Sequence, residues 1–398
     1  MSARPAAAAL FAGVAASSTG YTVIVAILPL AAEDLLGSVR WSGLPSSLAT
    51  TGVAVGSAVL AGLTIRRGRR VALVTGYAAA ALAAGVAALA AAAGAFLPLL
   101  AANFVLGGGY AANRLSRYAA ADLYPPLHRS AAIGWNVWAA TVGSVVGPLL
   151  LGATGRASAA LSIPVVSGPF LLAGASLIVA ALALQLFYRP GRVGRVAGDS
   201  SSPDERVESP AGLRLGVASL VVAQVVMVLI MTMTPIHIRH EGHGLDVVGV
   251  VFASHTFGMF ALSPLAGILS DRIGRVPVVV AACVVLSASG ILAAESASGS
   301  TAHAVALLLL GLGWCLSFVA ASALVTESVS VVRRVRLQGR VDSLVWGSAA
   351  VAGLASGLLL SVVGYGTLSR VGAVLALVPL FVLSPLGRRA DSRERPPW

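Results

Sequence analysis

Twelve apolar runs, each about 20 residues or longer, divide this chain and leave it few possible folds. They cover 6–32, 43–65, 71–94, 96–121, 130–153 and 162–188, then 213–238, 247–269, 276–296, 302–326, 341–364 and 367–387. A bilayer core about 30 Å thick is crossed by about 20 residues of helix. Within it every backbone N–H and C=O must find its partner inside the segment. The pattern therefore predicts an all-α membrane protein with twelve transmembrane helices. Composition agrees: the chain is 57% hydrophobic and only 11% charged, where soluble domains carry about 25% charged residues.

A net charge of +12 raises the question of nucleic acid, and the placement of the charges answers it. The chain has no lysine. Arg40, Arg156, Arg239 and Arg370 fall in loops on one side of the predicted topology. Apart from Arg114 and Arg117, which lie inside the fourth run, the other arginines gather on the opposite side. That is the positive-inside bias of a membrane protein. It predicts a multi-pass protein of a bacterial cytoplasmic membrane with both termini in the cytoplasm. The basic balance is thus an orientation signal with no nucleic-acid partner implied. Cys283 and Cys315 both lie inside apolar runs, without metal spacing, and read as small packing residues. The first run continues apolar through Leu30, too long for a secretory leader, and is kept as a span.

The runs fall into two sets of six. Residues 189–212 are charged and rich in Gly, Ser and Pro, as in a flexible linker. This gives a half over 1–188, a cytoplasmic linker over 189–212, a half over 213–387 and a cytoplasmic tail over 388–398. The halves repeat internally. Ala61-Gly62-Leu63-Thr64-Ile65-Arg66-Arg67-Gly68-Arg69-Arg70 aligns with the segment from Gly267 at a shift of 206, and Asp122 falls near Glu327 at a shift of about 205. Repeated helix sets are a mark of transporters whose halves rock about a midplane site.

The second copy of that repeat, Gly267-Ile268-Leu269-Ser270-Asp271-Arg272-Ile273-Gly274-Arg275, resembles the charged G-x-L-x-D-R-x-G-R loop of the major facilitator superfamily. The resemblance covers nearly the whole chain. It implies two six-helix pseudo-symmetric halves and a conformational latch built from Gly267, Asp271, Arg272, Gly274 and Arg275. In the first copy Ile65 stands where the family has aspartate and Ala61 where it has glycine, so a latch there is weaker or built differently. In the fifth run Gly143, Gly147, Pro148 and Gly152 are similar to the G-x-x-x-G-P-x-x-G-G motif of proton-linked drug antiporters, with Leu151 replacing one glycine. Small residues four apart let another helix come close, and Pro148 removes a backbone hydrogen bond. The resemblance implies export. In the fourth run Asn103 takes the place of the arginine that such antiporters usually carry, which puts their usual proton coupling in doubt here.

Other polar residues within the spans are expected to face a cavity or a partner, because a charge in hydrocarbon is expensive. Arg114 either faces the cavity or reaches back to the surface. His255 is the leading proton-linked candidate, since imidazole titrates nearest neutrality, against a histidine bonded within the bundle. Asp122 and Asp342, at cytoplasmic span ends, are further proton-coupling candidates. No Asp or Glu falls at midplane, which argues against a dedicated cation exporter. Tyr21, Asn113, Arg114, Gln224, Trp314 and Trp346 are the substrate-binding candidates, with apolar Met227 and Met231 beside them. Together they suit an amphipathic neutral or anionic molecule. His237, His240 and His243 cluster with Glu241 near the opposite surface and read as solvated loop residues rather than a metal site. No nucleophile with a base, phosphate loop or carboxylate pair is present, so neither enzyme chemistry nor a cofactor is expected.

The sequence thus predicts a monomeric, twelve-helix secondary transporter that exports a small organic molecule in exchange for protons, embedded in lipid. Uptake of a metabolite and a ligand-binding receptor without flux are the alternatives.

Overall fold

In hydrocarbon an apolar run has one economical conformation, the helix, which bonds its own backbone. The computed structural model describes residues 4–121, 123–124, 129–188, 210–297, 299–328 and 331–383, and among these there is no strand. The helices are α1 Arg4–Leu36, α2 Leu44–Arg67, α3 Arg69–Ala92, α4 Phe96–Ala121, α5 Arg129–Leu149, α6 Leu151–Ala160 and α7 Ser167–Phe187. They continue as α8 Pro210–His240, α9 Leu245–Phe260, α10 Ser263–Ile273, α11 Arg275–Glu295, α12 Thr301–Glu327, α13 Val331–Leu375 and α14 Val378–Leu383. A 3-10 turn, Val39–Trp41, joins α1 to α2.

Among the described residues nine stretches are long and apolar enough to cross a bilayer. The pair Trp138–Leu149 and Leu151–Ala160, bent by 45°, makes a tenth. Helix α4, at 26 residues, has the length but dilutes its apolarity with Asn103, Asn113, Arg114 and Arg117. The stretch Arg340–Leu383, at 44 residues, has length for two crossings and breaks helical geometry at Gly364, where φ is +73°. The helices thus accommodate twelve crossings.

Breaks occur where the chain chemistry asks for them. The bend between α5 and α6 follows Pro148, which lacks an N–H to donate. The fifth span therefore runs on to Ala160, past the 153 read from sequence. The eighth span is two helices, α9 and α10, because Pro264 sits in the first turn of α10, a position that suits proline. For the same reason α8 starts at Pro210, two residues inside the predicted linker. Residues 189–209 of the linker, the tail over 388–398 and Asp122 lie outside the described residues.

The internal repeat reappears in the backbone. Gly68 closes α2 and opens α3 at φ +88°, ψ 162°. Gly274 closes α10 and opens α11 at φ +92°, ψ 160°. Side chains are rarely tolerated at such angles, and the two glycines are separated by the repeat shift.

Helices α1–α7 pack extensively on one another, as do α8–α14. The two sets meet through α5 and α6 on α9, α2 and the 3-10 turn on α13, and α1 on α8. These meetings concentrate at one end, where α1 ends and α2 begins. There Ser47 Oγ donates to the Ala350 carbonyl at 2.6 Å, and a Cβ on Gly43 would collide with the Gly353 carbonyl. Arg239 of α8 grips both Glu33 and, at 2.6 Å, Asp34 of α1. His240 Nε2 lies 2.5 Å from Glu33, and Arg156 of α6 pairs with Asp246 of α9 at 2.9 Å. Deeper in, Thr256 Oγ1 donates to the Ser144 carbonyl at 2.9 Å. At the opposite end the main packing partners of α4 are α1, α2, α3 and α5, and those of α10 are α11 and α12. Each of these belongs to the helix's own set.

Within the first set α4 lies almost backbone to backbone on α2. A Cβ on Gly107 would overlap the Ala49 carbonyl, and one on Gly52 the Phe104 carbonyl. Gly107→Ala should therefore lower the unfolding temperature in detergent, with an overpacking cost of about 1–3 kcal/mol. Gly85→Ala, whose Cβ would meet nothing within 4 Å, should hold or raise it, since alanine gains about 1 kcal/mol over glycine within a helix.

Candidate functional site

A polar residue in hydrocarbon must face a partner or a cavity. The first set supplies Tyr21 from α1 and Tyr110 and Arg114 from α4. The tyrosine rings stack with centroids 3.6 Å apart and planes within 6°. Arg114 follows Tyr110 by one helical turn and so shares its face. Its guanidinium carbon lies 4.2 Å over the Trp346 ring of α13, a cation–π contact that joins the two sets. Asp342, exposed one turn before Trp346, attracts the guanidinium electrostatically, while Arg117 repels it. Tyr21, Tyr110, Arg114 and Trp346 are all partly accessible.

The second set presents an aromatic ladder. Trp314 of α12 stacks on Phe318 at 4.8 Å and meets Phe260 of α9 edge-on at 6.3 Å. Its indole Nε1 donates to Gln224 Oε1 of α8 at 2.8 Å, with both residues buried. Gln224 thus orients Trp314.

Asn113 is committed within its own set. Its Oδ1 accepts from Ser17 and, at 2.6 Å, from Tyr77, and its Nδ2 donates to Ser18 at 3.0 Å. This ties α1, α3 and α4 together. Asn136 continues the network by donating to Ser116 Oγ at 3.0 Å, and Ser116 Oγ donates to the Asn113 carbonyl at 2.6 Å.

His255 is fully buried where α9 packs on α12. Its Nδ1 lies 3.0 Å from the Leu307 carbonyl, and a carbonyl only accepts, so Nδ1 carries the proton. Nε2 is enclosed without a partner among the described residues. The structure thus places His255 between two helices of one set, and Asp342 beside Arg114.

The charged turn closes as a knot within the second set. Arg275 pairs with Asp271 at 2.9 Å and with Glu327 at 3.0 Å, and donates to the Ser270 carbonyl at 2.8 Å. Arg272 is exposed, and a Cβ on Gly267 would meet nothing within 4 Å. Gly267 makes no close helix approach in this conformation. The small-residue face of the fifth span, by contrast, is in use. Gly143 and Gly147 abut the Ala15 and Thr19 carbonyls of α1. The Pro148 carbonyl fills the space a Cβ on Gly249 would take, and Gly152 leaves room for the Asp246 carboxylate.

Sequence reasoning missed Tyr110, although its spacing of four from Arg114 was a readable signal. It also missed the grip of Arg239 and His240 on Glu33, since nothing in sequence pairs residues some 200 positions apart. His237 stacks on Tyr365 at 4.1 Å with His303 beside them, and no group of three metal-ligating side chains forms among the described residues.

Comparison with known proteins places this geometry. A family model described as Major Facilitator Superfamily matches residues 10–246 and again 215–397. The chain belongs to that superfamily. It is 34% identical over 380 residues to the uncharacterised MFS-type transporter YdeG of Bacillus subtilis strain 168, covering 92% of this chain and 88% of that one. To YddS of the same organism, also an uncharacterised MFS-type transporter, it is 33% identical, covering 92% and 86%. The riboflavin transporter RfnT of Brucella anthropi is 29% identical over 93% of this chain and 94% of its own. Among solved structures, a bacterial homologue of the human lysosomal transporter Spinster superposes with a TM-score of 0.68 at 18% identity, covering 94% and 96%. A D-xylose–proton symporter does so at 0.66 and 15% identity, covering 93% and 96%. The chain is a membrane transporter and not an enzyme.

The Asn113 network predicts a measurable stability cost. Asn113→Ala removes the acceptor of the Tyr77 hydroxyl and the donor to Ser18, while Ser17 keeps the Val14 carbonyl; each buried group left unbonded costs about 1–3 kcal/mol. Its unfolding temperature in detergent should fall well below that of Tyr21→Phe, which removes no described hydrogen bond.

Proposed function

We propose that this transporter moves a small organic molecule by alternating access, exporting it in exchange for protons, with the substrate held between the two helix sets at mid-depth. The observation that carries the reading is the Arg114–Trp346 contact. It places a charge and an aromatic ring at the junction of the sets, below the end they seal together. The arginine-rich side of the topology is the cytoplasm by the positive-inside bias. On that assignment the sealed end is external and the conformation is inward-facing.

The small-residue face around Pro148 supports export, since its likeness is to proton-linked antiporters and it forms part of the sealed junction. Asp342 supports coupling. It is the described carboxylate acting on Arg114, so a proton on it changes the field a substrate meets. His255, shut between α9 and α12, has no such line to the gap. One relative is named a riboflavin transporter, so riboflavin belongs in the test panel beside amphipathic organic acids.

The test is proton flux in proteoliposomes under an imposed pH gradient. Compound-dependent proton movement is expected, opposite in direction to the compound. Asp342→Asn should abolish gradient-driven transport yet retain exchange of labelled for unlabelled compound. Transport indifferent to the gradient would replace the exporter reading with a facilitator.

The sealed end gives a second check. Arg239→Gln removes the pairs to Glu33 and Asp34 and leaves His240 as the remaining cross-set partner of Glu33. A cysteine placed at Ser42, buried beside Met233, should then label several-fold faster from the external side. The native Cys283 and Cys315 are buried and give a low background.

A further inference from the structure

We infer that the mid-depth junction selects planar aromatic anions, held by Arg114 through their acid group and by the rings of Tyr21, Tyr110 and Trp346 through their faces. This rests on the transporter reading above and names its substrate class.

The charge argument comes first. Arg114 forms no ion pair among the described residues, and the carboxylate acting on it, Asp342, lies beyond hydrogen-bond reach. Lying about 10 Å of helix before the end of α4, Arg114 does not reach back to the surface. It turns onto the indole face of Trp346 in the opposite set. A guanidinium on an aromatic ring is a weaker arrangement than one bound bidentately by a carboxylate or phosphate. An arriving anion therefore draws Arg114 off the ring. A cation would meet the Arg114 guanidinium with no carboxylate in contact to offset it among the described residues.

The aromatic argument is independent. Lifting Arg114 exposes the Trp346 face, and the Tyr21–Tyr110 stack lies near the same guanidinium. Flat rings on opposite sets suit a flat ligand between them and leave little for a flexible aliphatic acid. The ring ladder of Trp314, Phe260 and Phe318 extends this surface in the second set. Such a ligand touches both sets at once, so it is sensed by whichever conformation brings Arg114 and Trp346 together.

Calorimetric titration of the full chain in detergent, with no gradient, tests this apart from transport. The probes are 2-naphthoate, its amide, the corresponding naphthylmethylammonium and cyclohexanecarboxylate. Naphthoate should bind at least 10-fold tighter than each of the other three. Arg114→Gln should remove that preference over the amide while the amide still binds, which shows the variant is folded. Trp346→Leu should weaken naphthoate and leave cyclohexanecarboxylate unchanged. Equal or tighter binding of the ammonium, naphthoate affinity untouched by Arg114→Gln, or no binding of any probe would overturn the inference. A chain that binds naphthoate in this way but moves no protons would keep the inference and sink the exporter reading.

Discussion

An apolar side chain in lipid gains little by moving into protein, so the helices of this chain are not joined by the hydrophobic effect that builds a soluble core. They are joined by close approach. Glycines set the distance: α2 and α4 meet at Gly52, Gly56 and Gly107, α1 and α5 at Gly143 and Gly147, and α9 and α12 at Gly258 and Gly311. At each a Cβ would press on a neighbouring backbone. Alanine fills much of the remaining interface, as along α3, where Ala80, Ala84 and Ala87 are buried. Large apolar residues such as Leu82, Leu89 and Ile178 stay on the outside, the reverse of a soluble fold and what a lipid solvent asks for.

That inversion explains what could be read in the sequence. The apolar spans, the proline at 148 and the paired turns at Gly68 and Gly274 depend on local chemistry, so they were legible, while the break before Pro264 was not read. Which way a residue faces was not. A helix that is apolar all round carries no amphipathic signal, and α12 is of this kind, with Leu, Ala, Val and Gly on every side. His255 and Arg114 look alike on paper, each a lone polar residue in an apolar run. One proves enclosed between helices and the other sits at the junction of the sets. Asn113 and Gln224 read as cavity residues because they are polar, yet their amides hold Tyr77 and Trp314 in place. The spacing of Tyr110 from Arg114 shows that one helical turn still carried information where the hydrophobic pattern did not.

The two ends of the molecule handle charge differently, and that difference bears on how it moves. At the sealed end the ion pairs cross between sets: Arg239 to Glu33 and Asp34, Arg156 to Asp246. At the other end Arg275, Asp271 and Glu327 satisfy one another within one set. The sealing pairs are partly or largely exposed, with Arg156 and Asp246 at 69% and 65%. A pair as exposed as Arg156–Asp246 contributes roughly 0–1 kcal/mol, while Glu33, at 13%, is more enclosed. Small glycine-to-carbonyl contacts, as at Gly43 and Gly353, add packing but little apolar burial. The exposed part of the seal is therefore made of terms that are individually weak and separable.

A weak seal is what a carrier needs, because a ligand shifts a conformational equilibrium only by the difference in its affinity for the two states. A swing from mostly one state to mostly the other takes about 5.5 kcal/mol of such difference, and no single small ligand has much more to give. Deep hydrophobic burial between the sets would place that swing out of reach. The first-set turn fits the same logic. With Ile65 in place of aspartate, it lacks the carboxylate that Asp271 gives its counterpart, so one of the two turns has less to hold it when the sets close at that end. On the proposed alternating-access cycle, opening and closing are then set by contacts at the junction itself, where Arg114 and Trp346 already touch.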